Sequence, residues 1–288
     1  MDNASNNTTF MQHFSVLLAE AGILDFDAKD NYIRCFAHII NLCAQATIKA
    51  MEKEDSHEIH SETDTETESD DNTPGQVARL RRRAGPIRRC RKMVAFIRKS
   101  GQRRDELLRI INEGNEAGLW TEFNVGGGTA VVALSLVTVL PDVKTRWDSV
   151  FYMLRRLRYL QQPIKKFFNM HRDAQSFSHP LENRHWNRLE ILELILQPHT
   201  VQTIMSSENT PILAATIPAF ELFLSAWEAM KVDQDLAEAN VAPIITPGLN
   251  LAKSYYKKLD DSKAYILAMC YGSNSYIAQD PILSRPGR

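Results

Sequence analysis

The chain has 288 residues, a formal net charge of -1 and 44% hydrophobic side chains, enough for one large domain or two smaller ones around a buried core. The near-zero total excludes a uniformly basic or acidic protein. It also hides a strongly acidic stretch, residues 52–71, followed by a strongly basic one, residues 79–109, which have to be read separately.

The four cysteines, Cys35, Cys43, Cys90 and Cys270, are few and irregularly spaced. They fit thiols in a reducing compartment better than a disulfide framework. No apolar run approaches the roughly 20 residues of a membrane span, and residues 130–140, the most apolar stretch, are too short. A membrane partner is therefore not expected. The first residues, MDNASNN, lack the basic and apolar regions of a secretory signal. The basic run RLRRRAGPIRRCR can be read by import receptors, so a nuclear location is expected and a cytoplasmic one otherwise.

In chain order, Phe10, Phe14, Leu17 and Leu18 repeat at helical spacing, with Asn6, Asn7 and Thr8 as cap candidates and Gly22 as the stop. A short strand is predicted over residues 32–35 and a helix over 36–51. Residues 52–73 carry Ile59 as their only large apolar side chain and are predicted to be a disordered acidic linker, closed by Pro74-Gly75. Val94, Phe96, Ile97, Leu107, Leu108, Ile110 and Ile111 predict a basic amphipathic helix pair broken at Ser100-Gly101. Gly126-Gly127-Gly128 marks a turn, and the β-branched run 131–140 predicts a strand. Helical periodicity returns with Val143, Trp147, Val150, Phe151, Leu154 and Leu157, until Pro163 interrupts it. Further helices are predicted over 182–197, 211–231 and 247–271, with Pro198 and Pro243 between them. The whole reads as mainly helical, with a small α/β piece at the N-terminus.

Four stretches carry residue types suited to chemistry. In DNASNNTTF, Asp2 precedes small polar residues and a helix, which suits a strand-end carboxylate binding a hard divalent ion; the same residues are ordinary turn and cap formers. In RCFAHIINLC, Cys35 and His38 lie three apart and would share one helical face. They make half of a zinc site, and Cys43, five beyond His38, is poorly spaced to extend it. The alternative is a partly buried cysteine beside a hydrogen-bonded histidine. In DVKTRWDSVFYMLRRLRYL, Arg146 and Trp147 set a guanidinium beside a large ring, able to hold phosphate and stack on an unpaired base; Trp147 also fits the apolar stripe of a core helix. Arg155, Arg156, Arg158, Lys165 and Lys166 extend the basic surface. The fourth stretch is residues 79–109, where thirteen Lys or Arg, among them Arg81, Arg82, Arg83, Arg88 and Arg89, face only Asp105 and Glu106. Such density attracts phosphate backbones without reading sequence; a solvated helix surface or docking of the chain's own acidic linker are the alternatives. No G-x-S-x-G elbow is present, and no G-K-[ST] follows the three glycines, so nucleophilic hydrolase and nucleotide-binding readings gain no support.

DNASNN, RCFAHIINL and DVKTRWDS occur in the order and approximate spacing of hAT-superfamily DNA transposases, and the chain resembles the fungal members in particular. PHTVQTIMSSENTPILAATIPAFELF and GLNLAKSYYKKLDDSKAYILAM extend the resemblance over residues 1–270, apart from the acidic linker and residues 124–140. The resemblance implies an RNase H-like core interrupted by a large helical insertion. It also implies an Asp-Asp-Glu triad holding two Mg²⁺ or Mn²⁺ ions. Asp2 matches the second Asp. Cys35 and His38 match the CxxH motif beside the active site, and Arg146 and Trp147 match the RW motif that acts on the DNA end.

The resemblance also implies that this is an interior fragment. The BED-type zinc finger and the first catalytic strand of the family would lie upstream, and the Glu and the dimerisation region downstream. The tail CYGSNSYIAQDPILSRPGR departs from the family. The domains expected are 1–51, a remnant of the RNase H-like core; 52–78, the linker; 79–271, the helical insertion; and 272–288, a non-family tail. The fold class expected is a mainly α helical insertion domain attached to an incomplete RNase H-like α/β core. The function expected is residual, largely electrostatic DNA binding, with no stably held Mg²⁺ or Mn²⁺ and no independent cleavage by this descendant of a DDE transposase. The competing expectations are a helical protein-interaction module and a split transposase subunit completed in trans. Self-association is left open.

Overall fold

The computed structural model describes residues 5–58, 85–123, 128–143, 147–170, 177, 180–197, 213–237 and 239–272. Its elements begin with α1 (Ser5–Glu20), α2 (Phe36–Glu58), α3 (Pro86–Arg98), α4 (Gly101–Glu116), β1 (Thr121–Phe123) and β2 (Thr129–Val131). They continue with α5 (Trp147–Tyr159), α6 (Gln161–Met170), α7 (Asn183–Leu196), α8 (Thr216–Val232), α9 (Gln234–Ala237), α10 (Val241–Lys257) and α11 (Lys263–Gly272). The fold is mainly helical, as the periodicity predicts. It forms two compact units, Met1–Ala50 with Ile195–Gly287, and Met51–Leu194. The segments after α7 group with the N-terminal residues in the first of these units.

In the first unit, α1 starts at Ser5, so the expected cap residues Asn6, Asn7 and Thr8 lie inside the helix. Gly22 does stop it: its φ is 84°, and the Ile23 amide donates to the Leu18 carbonyl at 2.9 Å, a closure that needs a left-handed residue. Residues 32–35 form no strand. The Tyr265 hydroxyl takes the place of a strand partner, accepting from the Arg34 amide at 2.9 Å and donating to the Arg34 carbonyl at 3.4 Å. Helix α2 runs past the expected end at Met51 to Glu58. The linker's remaining residues, from 59 on, lie outside the described residues.

The core of this unit joins α2, α8 and α10. Phe220, Phe223 and Trp227 line one face of α8 and are all buried. Phe36 meets Phe220 edge-on at 5.5 Å, and Phe223 meets Trp227 at 4.4 Å, spacings at which aromatic pairs add to plain burial. Gly248 of α10 lets the helices approach: a Cβ there would lie 2.3 Å from Thr47 Oγ1, 2.6 Å from the Cys43 carbonyl and 2.7 Å from the Trp227 ring. Where one helix is predicted over 247–271, the chain forms two, α10 and α11. Asp30 caps the second from a distance, its Oδ1 accepting the Lys263 amide at 2.8 Å.

In the second unit α4 packs on α3 and α6, and α5 on α6. Ile87, Met93, Ile97, Leu107, Ile110, Val150, Leu154, Leu157 and Phe167 are fully enclosed. The predicted break at Ser100-Gly101 is present, with the Ser100 hydroxyl accepting the Arg103 amide at the start of α4. Pro163 falls in the first turn of α6, where its missing N–H has no helical partner to lose.

The strand predicted over residues 131–140 is not formed. β2 ends at Val131, paired with β1 in a two-stranded antiparallel ladder. Beyond it the Val132 amide still donates to the Trp120 carbonyl at 2.9 Å, and much of the following main chain bonds to side chains. Asn115 exchanges two 2.8 Å bonds with Leu134, and Tyr159 accepts the Ser135 amide at 2.7 Å. Arg156 donates to the Thr138 carbonyl at 2.8 Å, and Arg98 to that of Val139 at 3.1 Å. A β-branched run held through such side-chain bonds is kept in place without a ladder.

Candidate nucleic-acid interface

Much of the basic run is committed within the protein. Arg89 is buried and donates to the Pro180 carbonyl at 3.1 Å, which leaves its guanidinium no open face for phosphate. Arg91 pairs with Asp142 at 2.7 Å, and the Asp142 side chain is only 7% exposed. Arg103 donates to the Phe96 carbonyl at 3.1 Å and lies 3.8 Å above the Phe96 ring. Arg109 bonds Glu106 and Glu113. Arg88, Lys99 and Arg104 remain exposed. Arg81, Arg82 and Arg83 lie outside the described residues.

His185 adds to this enclosed chemistry. Its Nδ1 accepts the Glu182 amide at 3.0 Å. Burial, and then the nearby Arg89 charge, pull its pKa down to about 4. The ring is therefore neutral near pH 7 and coexists with a buried cation.

The residues matched to catalytic motifs are only partly described. Asp2 and Arg146 lie outside the described residues, and Trp147 is the first residue of α5. Cys35 and His38 sit half-buried at the start of α2, and Cys43 is buried. Burial pushes the Cys43 thiol up to about 12, far from the thiolate a metal requires. Among the described residues no three His, Cys, Asp or Glu side chains converge to hold an ion.

A different cluster stands out on α5. Tyr152, Arg155 and Tyr159 follow one another at i, i+3 and i+7 and share a helical face. With Arg156, Ser135, Val137 and Leu140 they line an open groove of about 440 Å³. Arg156 and Tyr159 hold the opposite wall through Thr138 and Ser135. Tyr152 and Tyr159 are 45% and 43% exposed. Arg155 is exposed and has no hydrogen bond or ion pair among the described residues. No carboxylate lines the groove. Arg158, two residues from Arg156, turns instead to Glu190 and Glu193 at 2.8 and 2.7 Å. Sequence reasoning placed Arg155 and Arg156 on a basic surface but missed the two tyrosines. Their signal was the Tyr-x-x-Arg-x-x-x-Tyr spacing.

The model of the ZBED1 RNase-like helical domain matches residues 33–195, from just before α2 to the end of α7 and over more than half of the chain. The chain belongs to this family. The ZBED1 RNase-like helical domain is transposase-derived, and the Tyr152–Arg155–Tyr159 groove lies within the matched residues. The chain is also 25% identical over 229 residues to a protein of Talaromyces stipitatus named "Putative transcriptional regulator tpeD", an alignment covering 77% of this chain. The chain spans 23% of that relative's length. No solved structure matches it.

Proposed function

We propose that this chain is a hAT-type, fungal-type transposase derivative that binds DNA through charge in the nucleus and does not cut it unaided. The observation that carries the reading is the unpaired, exposed Arg155 in a groove without carboxylates, within a transposase-derived domain. Exposed Arg88, Lys99 and Arg104 add positive charge on the same unit. The basic residues turned inward limit the phosphate contacts, so the binding is modest. The hAT assignment rests on RCFAHIINL and DVKTRWDS, and the relative named as a transcriptional regulator favours a nuclear, DNA-bound role.

A titration of duplex DNA at rising salt tests the reading. Affinity should fall with a log–log slope of about -0.9 for each phosphate neutralised. Salt-independent retention sinks it. Incubation with supercoiled plasmid and Mn²⁺ tests the second half: nicking that vanishes in Asp2→Ala overturns the absence of cleavage. A protein-interaction module is the competing reading. It is favoured by Phe10, Leu17 and Leu24, which stand 51%, 61% and 81% exposed on and just after α1, and it predicts docking that salt leaves unchanged.

A further inference from the structure

From the groove on α5 we infer a binding site for an unpaired strand of DNA, with Tyr152 and Tyr159 stacking on bases and Arg155 holding the phosphate between them. The inference deepens the DNA-binding reading and rests on it. Tyr152 and Tyr159 are seven residues apart, about 10.5 Å along the helix axis. That distance matches about three stacked steps of one strand at about 3.4 Å each. Arg155 stands between them on the same face. Aromatic rings alternating with a cation are the arrangement that unpaired nucleic acid requires, because every base has a π-face and every linkage a negative charge.

A base pair hides its faces in the duplex stack, so duplex DNA can use Arg155 but not the tyrosines. The groove is also too narrow in chemistry for an acidic peptide: one unpaired guanidinium, Arg155, is present, and about half of each tyrosine is the rest of the exposed offering. Two features keep the platform in shape. The Ser135 amide donates to the Tyr159 hydroxyl, fixing that ring without covering it. Arg156, bonded to the Thr138 carbonyl, lines the floor and adds positive potential without being free to swing out.

The test is fluorescence anisotropy with the full chain and three labelled probes of equal length: single-stranded DNA of mixed sequence, the corresponding duplex, and single-stranded RNA. Single-stranded DNA should bind more tightly than duplex at matched salt. Tyr152→Ala and Tyr159→Ala should each weaken the single strand by about tenfold, toward the low end of a single base–aromatic stack, and leave duplex unchanged. Tyr152→Phe keeps the ring and should bind as the parent does, whereas Tyr159→Phe keeps the ring but loses the Ser135 bond and should weaken the single strand less than Tyr159→Ala does, which separates stacking from the loss of that bond. Arg155→Gln should weaken both probes and reduce the single-strand salt slope by about 0.7. Far-ultraviolet circular dichroism shows whether each variant is folded. Duplex binding that persists with no single-strand preference and no effect of the tyrosine variants overturns this inference and leaves the DNA-binding reading standing. Absence of salt-dependent binding to either DNA overturns both. RNA bound more tightly than DNA overturns the choice of DNA as the occupant.

Discussion

Gly248→Ala tests the packing of the first unit most directly. An alanine in the middle of α10 would favour the helix by up to about 1 kcal/mol on propensity alone. Packing opposes it. The added carbon would stand 2.3 Å from Thr47 Oγ1 and 2.6 Å from the Cys43 carbonyl, where ordinary contact begins near 3.4 Å. Thr47 is fully buried, and its hydroxyl already donates to that carbonyl at 3.2 Å, so it has little room to turn. The carbonyl belongs to α2, and the third obstacle, the Trp227 ring, is 1% exposed. Overpacking of this kind costs about 1–3 kcal/mol and more where backbone must move, so the upper end applies. After the propensity gain the variant should be about 2 kcal/mol less stable, measured by urea unfolding. Thr47→Ala in the same background should recover only part of the loss, because the Cys43 carbonyl remains in the way. A Gly248→Ala protein as stable as its parent, or more so, would show that α2 and α10 are not held at this distance.

Three further predictions rest on the second unit and the thiols. Asp142→Asn leaves Arg91 facing a neutral partner at a mostly buried position and should cost about 1–3 kcal/mol, whereas Glu113→Gln, at an exposed pair, should cost less than about 0.5 kcal/mol; equal effects refute the distinction. His185, held near 4 in the folded chain against an ordinary 6.5, gives stability that is complete above about pH 6.5 and is lost as the pH falls toward 4. Comparing the parent with His185→Gln at pH 7 and 4.5 should isolate about 2–3 kcal/mol of that loss, and identical pH profiles would refute it. Cys270 is exposed, whereas burial raises Cys43 to about 12 and Cys90 beyond its ordinary value. A chromogenic disulfide reagent should label Cys270 in the native protein but reach Cys43 and Cys90 only on unfolding, and native labelling of all three at one rate contradicts the burial.

Local signals in the sequence were reliable where the cause is local. Gly22 is read as a stop because a left-handed residue is needed there and glycine adopts it most readily. Ser100-Gly101 is read as a break because a serine caps the next helix. The stripe Val150, Phe151 and Leu154 is read as core because its period matches a helix. The same reading failed where the partner is distant in sequence. Nothing near Arg34 announces the hydroxyl of Tyr265, and nothing near Lys263 announces the carboxylate of Asp30. Charge density along residues 79–109 could not show that Arg89 turns inward to Pro180 or that Arg91 is claimed by Asp142. The groove on α5 was half legible: its arginines were visible as charge, but the tyrosines become informative only once they share an exposed face.

The extended segment after β2 has a consequence for the order of folding. Its side-chain partners are Arg98 of α3, Asn115 of α4, and Arg156 and Tyr159 of α5, across 18 to 41 residues of sequence. Each of these bonds needs its helix in place first, so the segment is predicted to dock after the helices it is laid against. Substitutions in it should speed unfolding and leave refolding rates nearly untouched. The amides of Leu134 and Ser135 should exchange with solvent deuterium through openings of lower free energy than those of α5. One side of the groove is therefore predicted to open separately, as a strip laid against α5.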